Sequence, residues 1–323
     1  MTAWKETVGG RRALTILRSR PFLTVAIVAG VWIAASFASR GFGAYGHLRY
    51  LVELAAVIGL VAAGQTFVVI AGGIDLSVAA IVTVSAVSLP LLSWQADPTG
   101  LTAVLAVLAL TTTIGLVNGL GVALLRVHPM IMTLAMATFL QGLLIIIAGG
   151  SAVTAENPLV RWLGNARPAG IPAGVLLWLA VSVIVLTAMH ATSFGARLFA
   201  MGANPLAAAL SGVPVASTTL AVYGISGFTS GLAGVLALGM NGQGYVGIGD
   251  PYLLASIAAV VLGGTSILGG LGTYAGTIPG AILLVTITAL ITVVNASPGW
   301  RSILFGSLIL GLLLLSGREQ ARR

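Results

Sequence analysis

The sequence contains no cysteine. That excludes disulfides, a thiolate nucleophile and iron–sulfur ligation together, although it does not identify the compartment. Charge is nearly as scarce: charged residues make up 7% of the chain, against roughly 25% in soluble domains. The only lysine is Lys5, and no Gly-x-x-x-x-Gly-Lys-Ser/Thr phosphate loop occurs, so the chain is not expected to hydrolyse nucleotide by itself. His47, His128 and His190 are far apart, without the i, i+4 spacing of a zinc-binding helix. They read as span-end residues that snorkel or cap locally, so no metal, catalytic residue or cofactor is expected.

What fills the chain instead is apolar. Hydrophobic residues reach 58%, more than a soluble core absorbs, so the bilayer must act as solvent. Blocks near 22–39, 51–71, 75–94, 101–125, 129–149, 171–190, 218–239, 253–268, 274–294 and 301–316 approach or exceed the roughly 20 residues that span a membrane. Such lengths select helices over barrel strands. The expected architecture is all-α and polytopic, about ten transmembrane helices in one membrane domain covering 1–323, with 253–268 short enough to dip in rather than cross.

The net charge of +8 is distributed unlike a nucleic-acid surface. Lys5, Arg11, Arg12, Arg18 and Arg20 precede the first block, Arg318, Arg322 and Arg323 follow the last, and Arg126 and Arg197 lie between blocks on the same predicted face. Arg40, Arg49, Arg161, Arg167 and Arg301 fall on the other. This bias places both termini in the cytoplasm by the positive-inside rule. The first block exceeds the 7–15 residues of a signal-peptide core, so Ser36-Phe37-Ala38 is read as part of a retained span rather than a cleavage site.

One cytoplasmic interruption, Gly195–Pro214, is written as a miniature helix. Asn204 is a good N-cap, Pro205 suits the first helical position, and Leu206 to Leu210 are strong helix formers. Gly212 can then turn left-handed and Pro214 forbids continuation. A helix of one or two turns is marginal alone, so something must pack on it; a moving partner outside the membrane is the functional reading.

Gly115/Gly119, Gly227/Gly231 and Gly276/Gly280 sit at helical spacing in apolar blocks and fit close helix packing, within one bundle or between two copies. The stretches Val68–Gly73 and Ala259–Gly264 each end an apolar run in a glycine pair followed by polar residues, Asp75 and Ser77 after the first, Thr265 and Ser266 after the second. Broken helices at depth are tolerated only where they line a cavity or are buried in protein. That makes Gly72, Gly73, Asp75, Ser77, Gly263 and Gly264 gate or pathway candidates. Asp75 and Glu53 lie near predicted span ends, where water lowers their cost; Asp75 with Ser77 also reads as a cap on the third span.

The uncharged polar residues of the spans include Gln65, Thr66, Asn118, Thr133, Thr138, Gln141 and Asn295. That inventory suits a hydroxylated solute better than ion coupling; Gln65 and Asn118 are the pathway candidates, and most of the others are expected to bond within the bundle. The outward segments 149–170 and 241–252 mix charge, turn residues and aromatics, as a solvated loop or a partner's landing surface would. Gly242-Gln-Gly-Tyr-Val-Gly247 matches a dinucleotide fingerprint but follows a membrane helix rather than a strand, so it is set aside.

Four segments together resemble the permease subunits of bacterial ATP-binding-cassette importers, in the ribose/monosaccharide branch of the family that also includes branched-chain amino acid permeases. They are Ala71-Gly-Gly-Ile-Asp-Leu-Ser77, His128-Pro-Met-Ile-Met-Thr-Leu134, Phe199–Gly212, and Ala258–Ser266 with Gly269-Gly270. The resemblance implies a multi-pass protein of the bacterial inner membrane, usually paired with a second identical permease copy. A cytoplasmic ATP-binding subunit would lie beneath it, a periplasmic sugar-binding protein above, and lipid around it; no nucleic acid is involved. It also implies that the 199–212 segment docks on the ATPase, with Gly202, Asn204, Pro205, Leu206, Leu210 and Gly212 as coupling residues. A branched-chain amino acid permease and an ion-coupled secondary transporter are the alternatives.

Overall fold

The structure, a computed structural model, describes residues 20–38, 41–92, 97, 99–149, 151–293, 297 and 299–320. Asn295, Arg40 and the terminal basic residues Lys5, Arg11, Arg12, Arg18, Arg322 and Arg323 lie outside them. A helix occupies each of the ten predicted blocks: α1 (Arg20–Ala38), α2 (Tyr45–Ile70), α3 (Val78–Leu92), α4 (Leu101–Ala123), α5 (Pro129–Ala148), then, after the short α6 (Pro158–Asn165), α7 (Ala173–His190). The chain continues through α8 (Ser193–Ala203) and α9 (Pro205–Leu210) to α10 (Val215–Asn241), α11 (Asp250–Leu262), α12 (Tyr274–Val293) and α13 (Gly299–Gln320). Six of these, α2, α4, α5, α7, α10 and α12, are long and apolar enough to cross a membrane.

The core is built around α2 and α10. Of the most apolar stretch of α2, 94% is buried, against 22% for α5, so α2 is wrapped by protein while α5 turns its apolar side outward. Exposed Phe139, Ile145 and Ile146 on α5 and Val183 and Ile184 on α7 suit a hydrocarbon surround, not water. α10 runs along α4, α2 and α3. The three small-residue faces are used inside this chain. A Cβ on Gly115 would strike the Tyr223 carbonyl and come within 3.1 Å of Gly227, one on Gly227 would strike the Thr111 carbonyl, and one on Gly276 the Gly263 carbonyl. Lost side-chain volume is what lets these backbones touch where lipid supplies no hydrophobic drive.

Aromatic hydrogen bonding ties the periphery to α2. Trp178 Nε1 on α7 donates to Tyr274 Oη at 2.8 Å, and Tyr274 Oη donates to the Gly59 carbonyl at 2.8 Å. Tyr274 is fully buried at the start of α12. Tyr274→Phe removes the middle of this relay and leaves a buried indole N–H without an acceptor. We expect a loss of about 1–3 kcal/mol, read as a lowered thermal midpoint of the detergent-solubilised protein, while Phe305→Leu on α13 leaves the relay intact.

The two outward segments are more ordered than plain loops. Val153–Thr154 (β1) pairs antiparallel with Gln243–Gly244 (β2), so the glycine-rich 242–247 stretch forms a two-residue clasp and no βαβ unit. α6 begins at the Asn157 cap, which accepts from Val160 N, and Pro158 follows. This is the same cap-then-proline pattern that the sequence shows at Asn204-Pro205. Asp97, ahead of α4, accepts from the backbone and hydroxyls of Thr99 and Thr102 and from Gly100 N. The Thr102 hydroxyl above all holds its carboxyl below the usual carboxylate range.

Candidate functional site

At one end of the bundle three glycine-bearing segments meet backbone to backbone. The first is the end of α2. Gly72 takes φ +85°, its N–H donates to the Val69 carbonyl at 3.0 Å, and Gly73 N–H donates to the Val68 carbonyl at 2.9 Å. The second is the end of α11, where Gly264 takes φ +89°, donates to Val261 at 2.9 Å, and Thr265 N–H donates to Val260 at 3.2 Å. Both are helix ends with paired six-to-one and five-to-two bonds around a left-handed glycine. The two breaks suspected from sequence are therefore the same local structure, in a register shifted by one: Gly72 corresponds to Gly264, not to Gly263. The eighth apolar block accordingly stops being helical at Leu262, and residues 263–273 are loop.

The third segment is the interruption before α10. Sequence predicts one miniature helix there; the structure has two. α8 starts at Thr192, whose hydroxyl accepts from Gly195 N, and ends where Asn204 becomes extended. α9 follows as expected: Asn204 Oδ1 accepts from Ala207 N at 2.9 Å, Pro205 stands at the first position, and Gly212 takes φ +82° past the end. Leu206 and Leu210 are 72% and 82% exposed. The two leucines of this short helix point away from the rest of the chain, while Ala208 between them is buried.

These segments interlock through orphan backbone groups. The Ile70 carbonyl, left without a partner inside α2, accepts from Gly270 N–H at 2.9 Å. Gly202, at the end of α8, lies against the same carbonyl: a Cβ there would strike Ile70 O and sit 2.7 Å from Gly270 N. A Cβ on Gly269 would lie 2.8 Å from Gly202 O and 3.1 Å from Gly72 Cα. Gly202 on α8 thus packs directly on the backbone at the end of α2 and on the loop that follows α11.

Beyond Gly73 the chain folds into a buried polar knot. Asp75 and Ser77 are fully buried. Asp75 Oδ1 accepts from Ser77 N at 2.9 Å and Ser77 Oγ at 2.6 Å, and Oδ2 accepts from Ser226 Oγ on α10 at 2.7 Å. Asn118 Nδ2 on α4 donates to Ser77 Oγ at 2.8 Å, and Thr133 on α5 accepts from Leu76 N. The capping role read for Asp75 is corrected here. α3 begins at Val78, and Asp75 bonds the residue two ahead in a local turn instead of the helix's free N–H groups. The expectation that water lowers the cost of both acidic residues is corrected for Asp75, which is fully enclosed by protein. Glu53, 8% exposed, lies 3.8 Å from Arg167 at the opposite end of the bundle.

The structure thus unites Gly72, Gly73, Asp75, Ser77 and Asn118, and joins Gly263 and Gly264 to them only through the loop carrying Gly269 and Gly270. Gln65 stands apart in mid-α2, fully buried, with neither amide atom hydrogen-bonded among the described residues. Thr66, Thr133 and Thr138 bond to carbonyls four residues back, as expected of in-bundle hydroxyls. Ser226 and Tyr223 were not singled out from sequence, where a lone hydroxyl in an apolar run carries no partner information. A Cβ on Gly73 would come within 2.7 Å of Tyr223 Oη. Among the described residues no three His, Cys, Asp or Glu side chains gather as a metal site.

Over 98% of its length the chain is 31% identical to the ribose import permease protein RbsC of Escherichia coli (strain K12), of which it covers 99%. It is 31% identical, over 91% of its length and 89% of the relative, to the L-arabinose transport system permease protein AraH of the same organism. With the galactose/methyl galactoside import permease protein MglC of Haemophilus influenzae (strain ATCC 51907 / DSM 11121 / KW20 / Rd) it shares 34% identity over 68% of each chain. No solved structure matches. Residues 48–313 match the family described as the branched-chain amino acid transport system / permease component, and the chain belongs to that family.

Proposed function

We propose that this chain is the permease subunit of an ATP-binding-cassette importer that carries a monosaccharide across the bacterial inner membrane. Similarity to sugar import permeases along nearly the whole chain is the observation that carries the substrate class. In this reading 1–323 form one transmembrane domain of about ten spans with both termini cytoplasmic, two copies enclose the pathway, and a periplasmic protein delivers the sugar. A separate cytoplasmic subunit hydrolyses ATP and grips α9 through Leu206 and Leu210.

The mechanism follows from the contacts at the inner end. Nucleotide favours one arrangement of the ATPase pair and so one position of the 195–214 segment; a ligand moves an equilibrium only by such differential affinity. Gly202 passes that displacement to the Ile70 carbonyl and the Gly269-Gly270 loop. The Asp75 knot then ties the α2–α3 turn to α10 through Ser226 and to α4 through Ser77 and Asn118. Gly72 and Gly264 are the places where two helix ends can turn without steric penalty.

A secondary transporter would instead need titrating carboxylates in the path, whereas Asp75 is fully committed to hydroxyl and backbone donors. Uptake into vesicles holding the permease, its ATPase and its binding protein tests the reading: sugar accumulation should require ATP and survive collapse of ion gradients. Asn204→Ala combined with Pro205→Ala removes the cap and the preset first turn, at a cost of about 1 kcal/mol or more. Stimulation of ATPase by the loaded binding protein should drop about five-fold while the permease remains inserted. Unchanged stimulation would refute the coupling assignment.

A further inference from the structure

A cavity of about 420 Å³ opens between α2, α11, α12 and α13, at the end of the bundle opposite α9. Its volume falls in the range of small-molecule sites. Helix direction sorts its lining by depth. His47, Tyr50, Tyr252, Thr292 and Arg301 stand where α2, α11 and α13 begin and α12 ends. Ile58, Ala255, Val285, Ala289 and Phe305 lie one to three turns further in. From His47 to Ile58 the helix rises about 16 Å at 1.5 Å per residue. The cavity is thus an elongated slot, polar at its mouth and made of carbon below.

Arg301 is the one arginine or lysine among the lining residues of the slot. No acidic residue lines the slot, and Arg301 makes no ion pair among the described residues. His47 Nε2 is buried without a hydrogen-bond partner. Both threonine hydroxyls of the slot already donate: Thr288, lower down, to the Leu284 carbonyl at 2.8 Å and Thr292, at the mouth, to the Thr288 carbonyl at 3.1 Å. A sugar seated in the lower half would lose its water without finding partners for its hydroxyls, which costs free energy for every unpaired group. An amphiphile has the complementary shape: an anionic head for the guanidinium and imidazole, and an aliphatic chain for the dry lower half.

We propose that this slot holds one anionic phospholipid, its phosphate on Arg301 and His47 and one acyl chain running down between α2 and α12 toward Ile58 and Val285. This is a site separate from the glycine-bearing end of the bundle and from the α9 surface. Because α11 and α12 both extend from the slot to the glycine-bearing inner end, an occupied slot braces the two helices that carry the second break.

The test uses the full-length permease in nanodiscs made with phosphatidylglycerol or with phosphatidylcholine, together with native mass spectrometry after delipidation. One phosphatidylglycerol per chain should survive delipidation, and phosphatidylglycerol nanodiscs should raise the thermal midpoint relative to phosphatidylcholine. Arg301→Gln should reduce retention at least ten-fold and abolish that difference. Ala289→Trp, which fills the slot from α12, should do the same; if it does not fold, Arg301→Gln alone decides. Equal retention of phosphatidylcholine, or retention unchanged in Arg301→Gln, overturns the proposal. So does equal protection by inorganic phosphate or by ribose alone. A disulfide between two copies of a Thr292→Cys variant, unambiguous in a chain without cysteine, would give the slot to a second permease and overturn it too. These readouts need no transport, so they stand or fall independently of the substrate class.

Discussion

Gly202→Val is expected to abolish uptake and to destabilise the permease by about 3 kcal/mol or more, at the upper end of overpacking costs. The obstacles are the Ile70 carbonyl and the Gly270 N–H, which belong to the backbone and cannot move aside as a flexible side chain can. Inserting a side chain pushes α8 off the end of α2 and off the Gly269-Gly270 loop, and breaks the Gly270–Ile70 hydrogen bond, 2.9 Å long. Two glycine controls separate this from general intolerance. Gly46, with open space around its Cβ position, should accept alanine with no measurable change. Gly212 also faces open space but has φ +82°, so Gly212→Ala should cost only the left-handed backbone penalty, about 1–2 kcal/mol. The comparison is made by thermal melts in detergent and by ATP-dependent uptake. A Gly202→Val protein that melts and transports like the parent would show that α8 does not bear on α2.

Asp75→Ala carries the second large effect. It strips the acceptor from Ser77 N, Ser77 Oγ and Ser226 Oγ, all buried, and a buried group left unsatisfied costs about 1–3 kcal/mol. The hydroxyls can reorient in part, so a net loss of about 2–4 kcal/mol is expected rather than the full sum. Asp75→Asn keeps the shape and one acceptor and should lose roughly half as much. Ser226→Ala removes a single bond of the knot, and its effect should be strongly non-additive with Asp75→Ala because the two share that bond. Equal melting of Asp75→Ala and parent would mean that the knot holds nothing together.

Much of the 195–214 segment was legible beforehand because caps are local. Asn204, Pro205 and Gly212 each act through their own backbone geometry or that of residues within three positions, so composition and order suffice to read α9. The same holds for the ten apolar blocks, whose hydropathy alone excludes a soluble fold. α8 was missed because two of the four residues on its buried face, Gly195 and Gly202, are glycines that show no apolar signal, and its packing on α2 is set by the missing side chain at Gly202.

The sequence by itself determined an all-α membrane chain with helices in ten apolar blocks and a capped helix between the sixth and seventh. It also marked glycine breaks after Ile70 and Leu262. Only the tertiary structure decided that those breaks share one hydrogen-bonding pattern, that Gly270 satisfies the Ile70 carbonyl, and that Asp75 is enclosed with Ser226 from a helix 151 positions away. It also decided that the small-residue faces close on neighbours in the same chain. The physical reason is range. Capping and hydropathy act over a few residues of contiguous chain, whereas burial of a carboxylate and the approach of two backbones depend on which distant segments arrive beside them.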